Sequence, residues 1–193
     1  MKKMMVMAMM MVMSISANAM SYNAARNEAL FLSDKMAYEL NLNGAQYGAV
    51  YEINLDYLMS MNSRGDVFGI WWSRRNSDLH HVLSAWQYDK YVASSYFYRP
   101  LVWNAGKWQF SIYRHYSNHN LFYMSHPAGY ASYKGGNNHK SDHYYADRRI
   151  SKSAPKVSGG SSHSAHANGG HRIAGNASGS RASRGGVLSS GRR

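Results

Sequence analysis

The chain contains no cysteine. Disulfides, thiolate metal sites and cysteine nucleophiles are therefore excluded, and so is the lipid-modified cysteine that anchors a bacterial lipoprotein. Acids are scarce, at 10 Asp/Glu against 22 Lys/Arg, so paired-carboxylate chemistry has few candidate residues. No Gly-x-Ser-x-Gly elbow, His-Glu-x-x-His pair or phosphate-binding glycine loop occurs. After the first nineteen residues, no apolar run approaches the about 20 residues that span a bilayer. These absences lead us to expect a non-enzymatic chain without a cofactor.

What is present begins at the N-terminus. Lys2 and Lys3 precede a stretch, Met4 to Ile15, that is apolar apart from Ser14, and Ala17-Asn18-Ala19 follows as a small-x-small site. This is the three-part layout of a secretory signal. At about a dozen residues its apolar run is too short for a membrane anchor. Cleavage near Ala19 is expected, with export to the periplasm or beyond, and a mature chain that starts at or near Met20. A secreted domain without disulfides must be held by its own core or by a partner.

The formal charge of +12 is unevenly placed. Met20–Tyr133 carries nine Lys/Arg and eight Asp/Glu, whereas Lys134–Arg193 carries eleven and two. The basicity belongs to the second segment. That segment is dominated by Gly, Ser, His, Asn and Arg, with too little apolar surface to offset the entropy of ordering a backbone. Three regions are therefore expected: a signal at 1–19, a folded domain at 20–133 and a disordered basic tail at 134–193.

The expected fold class is mainly α, with about three helices. In the first, about Asn23 to Leu40, residues Ala25, Ala29, Leu32, Met36 and Leu40 share one face. The second starts at Asn43, an N-cap with Gln46 placed as its capping-box partner and Leu42 and Tyr47 placed as a hydrophobic staple. It runs to about Met61 with Val50, Asn54, Leu58 and Met61 in one stripe, making a helix hairpin with the first. A third helix is expected from a cap at Asn76 or Ser77, with Leu79, Val82, Leu83, Trp86 and Tyr91 inward, ending before Pro100. Leu101–Trp103 and Trp108–Phe110 around Asn104–Lys107 read either as a short β-hairpin or as part of an aromatic-rich irregular segment.

Leu42-Asn43-Gly44-Ala45-Gln46, after Lys35–Leu40, resembles the Leu-Thr-x-x-Gln box of the Spy/CpxP-type periplasmic proteins. The resemblance covers about residues 23–61. Asn43 stands where the family has threonine, a second box is not found in the third helix, and the aromatic segment after Pro100 departs from the family pattern. The resemblance implies an exported helical, stress-associated chaperone, often a homodimer, that holds unfolded or envelope proteins on an apolar surface and catalyses nothing. Tyr47, Tyr51 and Leu58 on the second helix, together with Trp71 and Trp72, are the expected client-binding residues.

Between Trp86 and Tyr133 lie fifteen aromatic residues. They read either as core or as a presented face for sugar, peptide or a second copy. The pairs His115/His119, His139/His143 and His163/His166 have metal-site spacings, but without cysteine no dedicated metal site is expected. In the basic segment Arg148, Arg149, Arg181, Arg184, Arg192 and Arg193 are the expected contacts to anionic envelope polymers or lipid headgroups. Such binding is salt-dependent and not sequence-selective, and export argues against a physiological nucleic acid ligand.

Overall fold

The computed structural model describes residues 19–140 and 143–154. Among the described residues the fold is mainly helical, as expected, and the segment after Pro100 takes the hairpin alternative as a two-stranded antiparallel sheet. Helix α1, Tyr22–Glu39, is capped by Ser21, whose Oγ accepts the Ala24 N–H. It ends where Asn41 takes a left-handed φ of 51° and the Leu42 N–H reaches back to the Ala37 carbonyl. That bond is the long one of a Schellman stop. Helix α2, Gly44–Met59, opens on the expected box: Asn43 Oδ1 accepts the Gln46 N–H at 2.9 Å, and Gln46 Oε1 accepts the Asn43 N–H at 3.1 Å. The two helices pair as the expected hairpin. Their predicted stripes are buried in full, from Ala25 through Leu40 and from Tyr47 through Met61.

The expected third helix is three helices. Helix α3, Ile70–Val82, is capped at Gly69, seven or eight residues before the expected cap, and Asn76 is not its cap but a buried residue that accepts from the Tyr91 hydroxyl. The chain breaks at Leu83-Ser84. Ser84 caps helix α4, Ala85–Ala93, and forms a capping box with Gln87. Trp86, expected inward, is 59% exposed as a result. Helix α5, Ser95–Tyr98, leads to Pro100. Leu83-Ser84-Ala85-Trp86-Gln87 thus forms a second capping box with the same spacing as Leu42–Gln46.

Strands β1, Leu101–Asn104, and β2, Lys107–Phe110, pair with Trp103 opposite Trp108. The turn residues Ala105 and Gly106 both have positive φ, 47° and 77°, as a type I′ hairpin turn requires.

The folded region does not end at Tyr133. Residues 134–140 and 143–154 lie against the same helices, with Asn137 and Tyr145 buried. Gly135 and Gly136 have φ of 93° and 103°, and a Cβ on Gly135 would sit 2.7 Å from Met59 Sδ. Glycine here is a requirement of the turn. The Gly136 and Asn138 N–H groups donate to Asp56, and Asn43 Nδ2 donates to the carbonyls of Ser151 and Ser153. Residues beyond 154 and before 19, which include most of the expected signal and tail, lie outside the described residues.

Tyrosines fasten the C-terminal half to the helix hairpin. Tyr113 donates to Glu28 (2.5 Å), Tyr96 and Tyr116 to Glu39 (2.8 and 2.5 Å), Tyr145 to Glu52 (2.8 Å) and Tyr133 to Asp56 (2.6 Å). Hydrogen bonds of this kind, with an ionised acceptor, are about twice as strong as neutral ones. Five of the 16 tyrosines take this role, in which the ring packs and the hydroxyl pins a carboxylate.

Candidate functional site

The expected client-binding residues of α2 are not presented. Tyr47 is 4% exposed, and Tyr51 and Leu58 are 0%. Their stripe is covered by α1 on one side and by the aromatic segment on the other, with Tyr51 packed against Tyr130 at 5.9 Å. An apolar helical stripe is buried by whatever the fold can bring over it, and here the chain supplies its own cover. Trp71 and Trp72 are half-buried. Trp72 is committed to the fold, since its Nε1 donates to the Tyr98 carbonyl at 2.8 Å. Trp71 lies edge-on to His139 at 4.9 Å and lines an open cavity of about 390 Å³.

Asn43 and Gln46 act as caps, as expected. Arg148 is not a free tail cation, because it donates to Glu52 at 3.2 Å and lies over the Tyr144 ring at 4.8 Å. Arg149 is exposed beside the start of α2. Arg181, Arg184, Arg192, Arg193 and the His163/His166 pair lie outside the described residues. His115 stacks on Tyr96 at 4.3 Å and His119 packs on Tyr113 at 3.9 Å, so the two imidazoles are engaged with different rings.

What the fold does present is a ribbon of four consecutive residues, Leu121, Phe122, Tyr123 and Met124, each 39–42% exposed. Tyr38 of α1, 57% exposed, stacks on Tyr123 at 4.1 Å and extends the ribbon. The segment has no helix or strand to hold it. It is held by a buried ion pair instead. Lys35 and Asp34 are both 0% exposed and 2.7 Å apart. Lys35 also donates to the Leu121 carbonyl and lies 4.4 Å from the Phe31 ring and 4.5 Å from the Tyr123 ring. Asp34 accepts the N–H groups of Tyr123 (3.0 Å) and Met124 (2.8 Å).

A buried ion pair is costly unless its remaining donors and acceptors are satisfied. Here the ribbon's own backbone satisfies them, so the ribbon cannot leave without stranding two charges. The outcome is an apolar surface of fixed shape. Its sequence signal was the run Leu121–Met124 between Asn120 and Ser125, with an adjacent acid and lysine on the first helix whose remaining donors and acceptors need partners once buried.

A Ser–His contact lies in the Trp71 cavity, where Ser77 Oγ and His143 Nδ1 are 2.7 Å apart. Asp78, next in sequence to Ser77, is bonded to Arg74 at 3.1 Å, so it does not orient the imidazole by that oxygen. A scan against protein-family models and searches of curated proteins and of solved structures each return no match.

Proposed function

We propose that this chain is an exported, non-catalytic binding protein of the bacterial envelope that holds apolar segments of unfolded or envelope proteins. The observation that carries the reading is the Tyr38/Leu121–Met124 ribbon, an apolar surface locked in place by a buried ion pair. A contiguous exposed apolar patch on a soluble domain is a common sign of an interaction site. The likeness of Leu42–Gln46 to the Spy/CpxP-type box, with the second capping box at Leu83–Gln87, supports the same reading. The ribbon replaces Tyr47, Tyr51 and Leu58 as the proposed client surface.

The test is suppression of aggregation of an unfolded client, at low and high salt. The exported chain is compared with a form ending at residue 154, since a cut at Tyr133 would remove the buried Tyr145. Both forms should suppress aggregation in high salt. Replacing Leu121, Phe122 and Met124 with serine leaves the backbone pins intact and should remove the effect. Unchanged holding by that variant would end the reading.

A second reading, docking to anionic envelope polymer or lipid headgroups, is favoured by a different observation. Between Asp89 and Asp142 there is no acid, while Arg99, Lys107, Arg114, Lys134 and Lys140 are all exposed. Binding of this kind should weaken steeply between low and physiological salt.

A further inference from the structure

An open cavity of about 450 Å³ lies beside α5, at the base of the β-hairpin. Arg99 and Arg114 line it, and no acid does. Neither guanidinium pairs with a carboxylate among the described residues. The two arginines are brought together by the backbone: Ser111, which opens the 3-10 turn ending at Arg114, donates its Oγ to the Arg99 carbonyl (2.9 Å) and its N–H to the Pro100 carbonyl (2.8 Å). The arginines belong to the acid-free stretch, so nothing nearby in sequence competes for them.

The rest of the lining is mixed. Ser95 and Ser111 offer hydroxyls, and Ser111 keeps its lone pairs as acceptors after donating to Arg99. His115 is held at the wall by its stack on Tyr96. The half-exposed Phe68 and Val102 give an apolar side. The volume falls within the about 300–1,000 Å³ of small-molecule sites. A planar guanidinium fork matches the two oxygens of a carboxylate, and two such groups line this cavity. Hydroxyls facing a short apolar wall match a ring that has hydroxyl edges and a C–H face.

We propose that this cavity binds an acidic sugar, with the carboxylate on Arg99 and Arg114 and the ring between Phe68 and the two serines. The site deepens the second reading above, and it assigns anion recognition to the folded domain instead of the tail.

The test is calorimetric titration of the exported full chain with three probes: a uronic-acid trisaccharide, its neutral methyl ester, and inorganic phosphate. The trisaccharide should bind at one per chain, with the ester about tenfold weaker or more, as loss of a charge-assisted pair requires. Arg99→Gln with Arg114→Gln should weaken the trisaccharide by about tenfold or more. Phe68→Ala should weaken it by about threefold. All three side chains are exposed, and an unchanged melting temperature checks that the fold is intact. A variant with Arg181, Arg184, Arg192 and Arg193 changed to Gln should bind as the parent does.

The proposal is overturned if the Arg99/Arg114 variant binds as tightly as the parent. It is also overturned if inorganic phosphate matches the trisaccharide through the same two arginines. Loss in the tail variant alone would remove this site and keep the second reading. Absence of binding to any acidic glycan, by any form, would remove both.

Discussion

Gln46 and Gln87, forty-one residues apart, face each other as an amide pair at the two helix starts. Gln46 Nε2 donates to Gln87 Oε1 at 2.7 Å, and Gln87 Nε2 donates back to Gln46 Oε1 at 3.2 Å. Each Oε1 also accepts the N–H of its own cap residue, Asn43 or Ser84. Each amide then bonds a carbonyl just before the other box, Val82 in one direction and Leu40 in the other. Both side chains are buried. Two local capping devices therefore serve as one long-range clamp between the helix hairpin and α4.

The clamp predicts coupled losses. Gln46→Ala and Gln87→Ala should each cost about 2–3 kcal/mol, since each loses a cap and leaves its partner's buried amide unpaired. The double variant should cost less than the two singles together, by about 1 kcal/mol or more. Urea unfolding of the four forms measures this. Additive losses would mean that the two boxes act separately.

Burial of the α2 stripe predicts how Tyr47 and Leu58 respond. Leu58→Ala should destabilise by about 2–5 kcal/mol through cavity formation. Tyr47→Ala should do the same, whereas Tyr47→Phe should be close to neutral, because its hydroxyl has no hydrogen-bond partner among the described residues. Client holding per folded molecule should be unchanged in Leu58→Ala at a temperature where it remains folded. A selective loss of holding without loss of stability would restore the α2 face as the binding surface.

Helices α1 and α2 were legible in the sequence because their signals are local or periodic: a cap box, a staple and an apolar stripe. The β-hairpin was one of two readings left open for its segment, because Leu101–Trp103 and Trp108–Phe110 carry strand-forming residues around a turn but Gln109 interrupts the apolar run. Helix α3 was not legible, because its buried face is partly polar. Arg75, Asn76 and Asp78 sit in the core beside Leu79 and Val82, and periodicity reads such residues as surface. The folded part of 134–154 was missed on similar grounds. It packs through Gly135, Gly136, Asn137 and Asn138 onto carboxylates of α2, and a composition of Gly and Asn carries no apolar signal. The client surface was misplaced because exposure depends on what covers a stripe, and that cover comes from residues far along the chain.

Arg75 makes the cost of that hidden network measurable. It is 1% exposed, and its guanidinium donates to Asn54 Oδ1 (2.8 Å), the Tyr91 hydroxyl (2.8 Å) and the Phe97 carbonyl (3.0 Å), all neutral acceptors. Arg75→Leu should cost about 3–5 kcal/mol, as three buried acceptors lose their donor. Arg75→Lys should not restore stability, because one ammonium cannot reach three acceptors set for a planar fork. Thermal unfolding of both variants checks this, and recovery in the lysine form would show that charge alone is needed.

Asp78 gives the pH prediction. Burial raises its carboxyl above the ordinary value of 3.8, with the neighbouring Arg74 opposing the rise. Oδ2 accepts from Arg74, while Oδ1 is buried without a hydrogen-bond partner. The fold therefore keeps a proton that the unfolded chain has already released. Between the ordinary value and the raised one, stability must fall as pH rises. Burial raises Glu28 and Asp56 in the same direction, so the parent should lose stability through three groups as pH rises above the ordinary carboxylate range. Asp78→Asn removes one of them. The variant should be more stable than the parent at neutral pH, should lose that advantage as the parent's Asp78 becomes protonated, and should show a shallower slope between. Urea midpoints measured across that range decide the matter, and an unchanged slope would mean that Asp78 is hydrated in solution and its charge carries no burial cost.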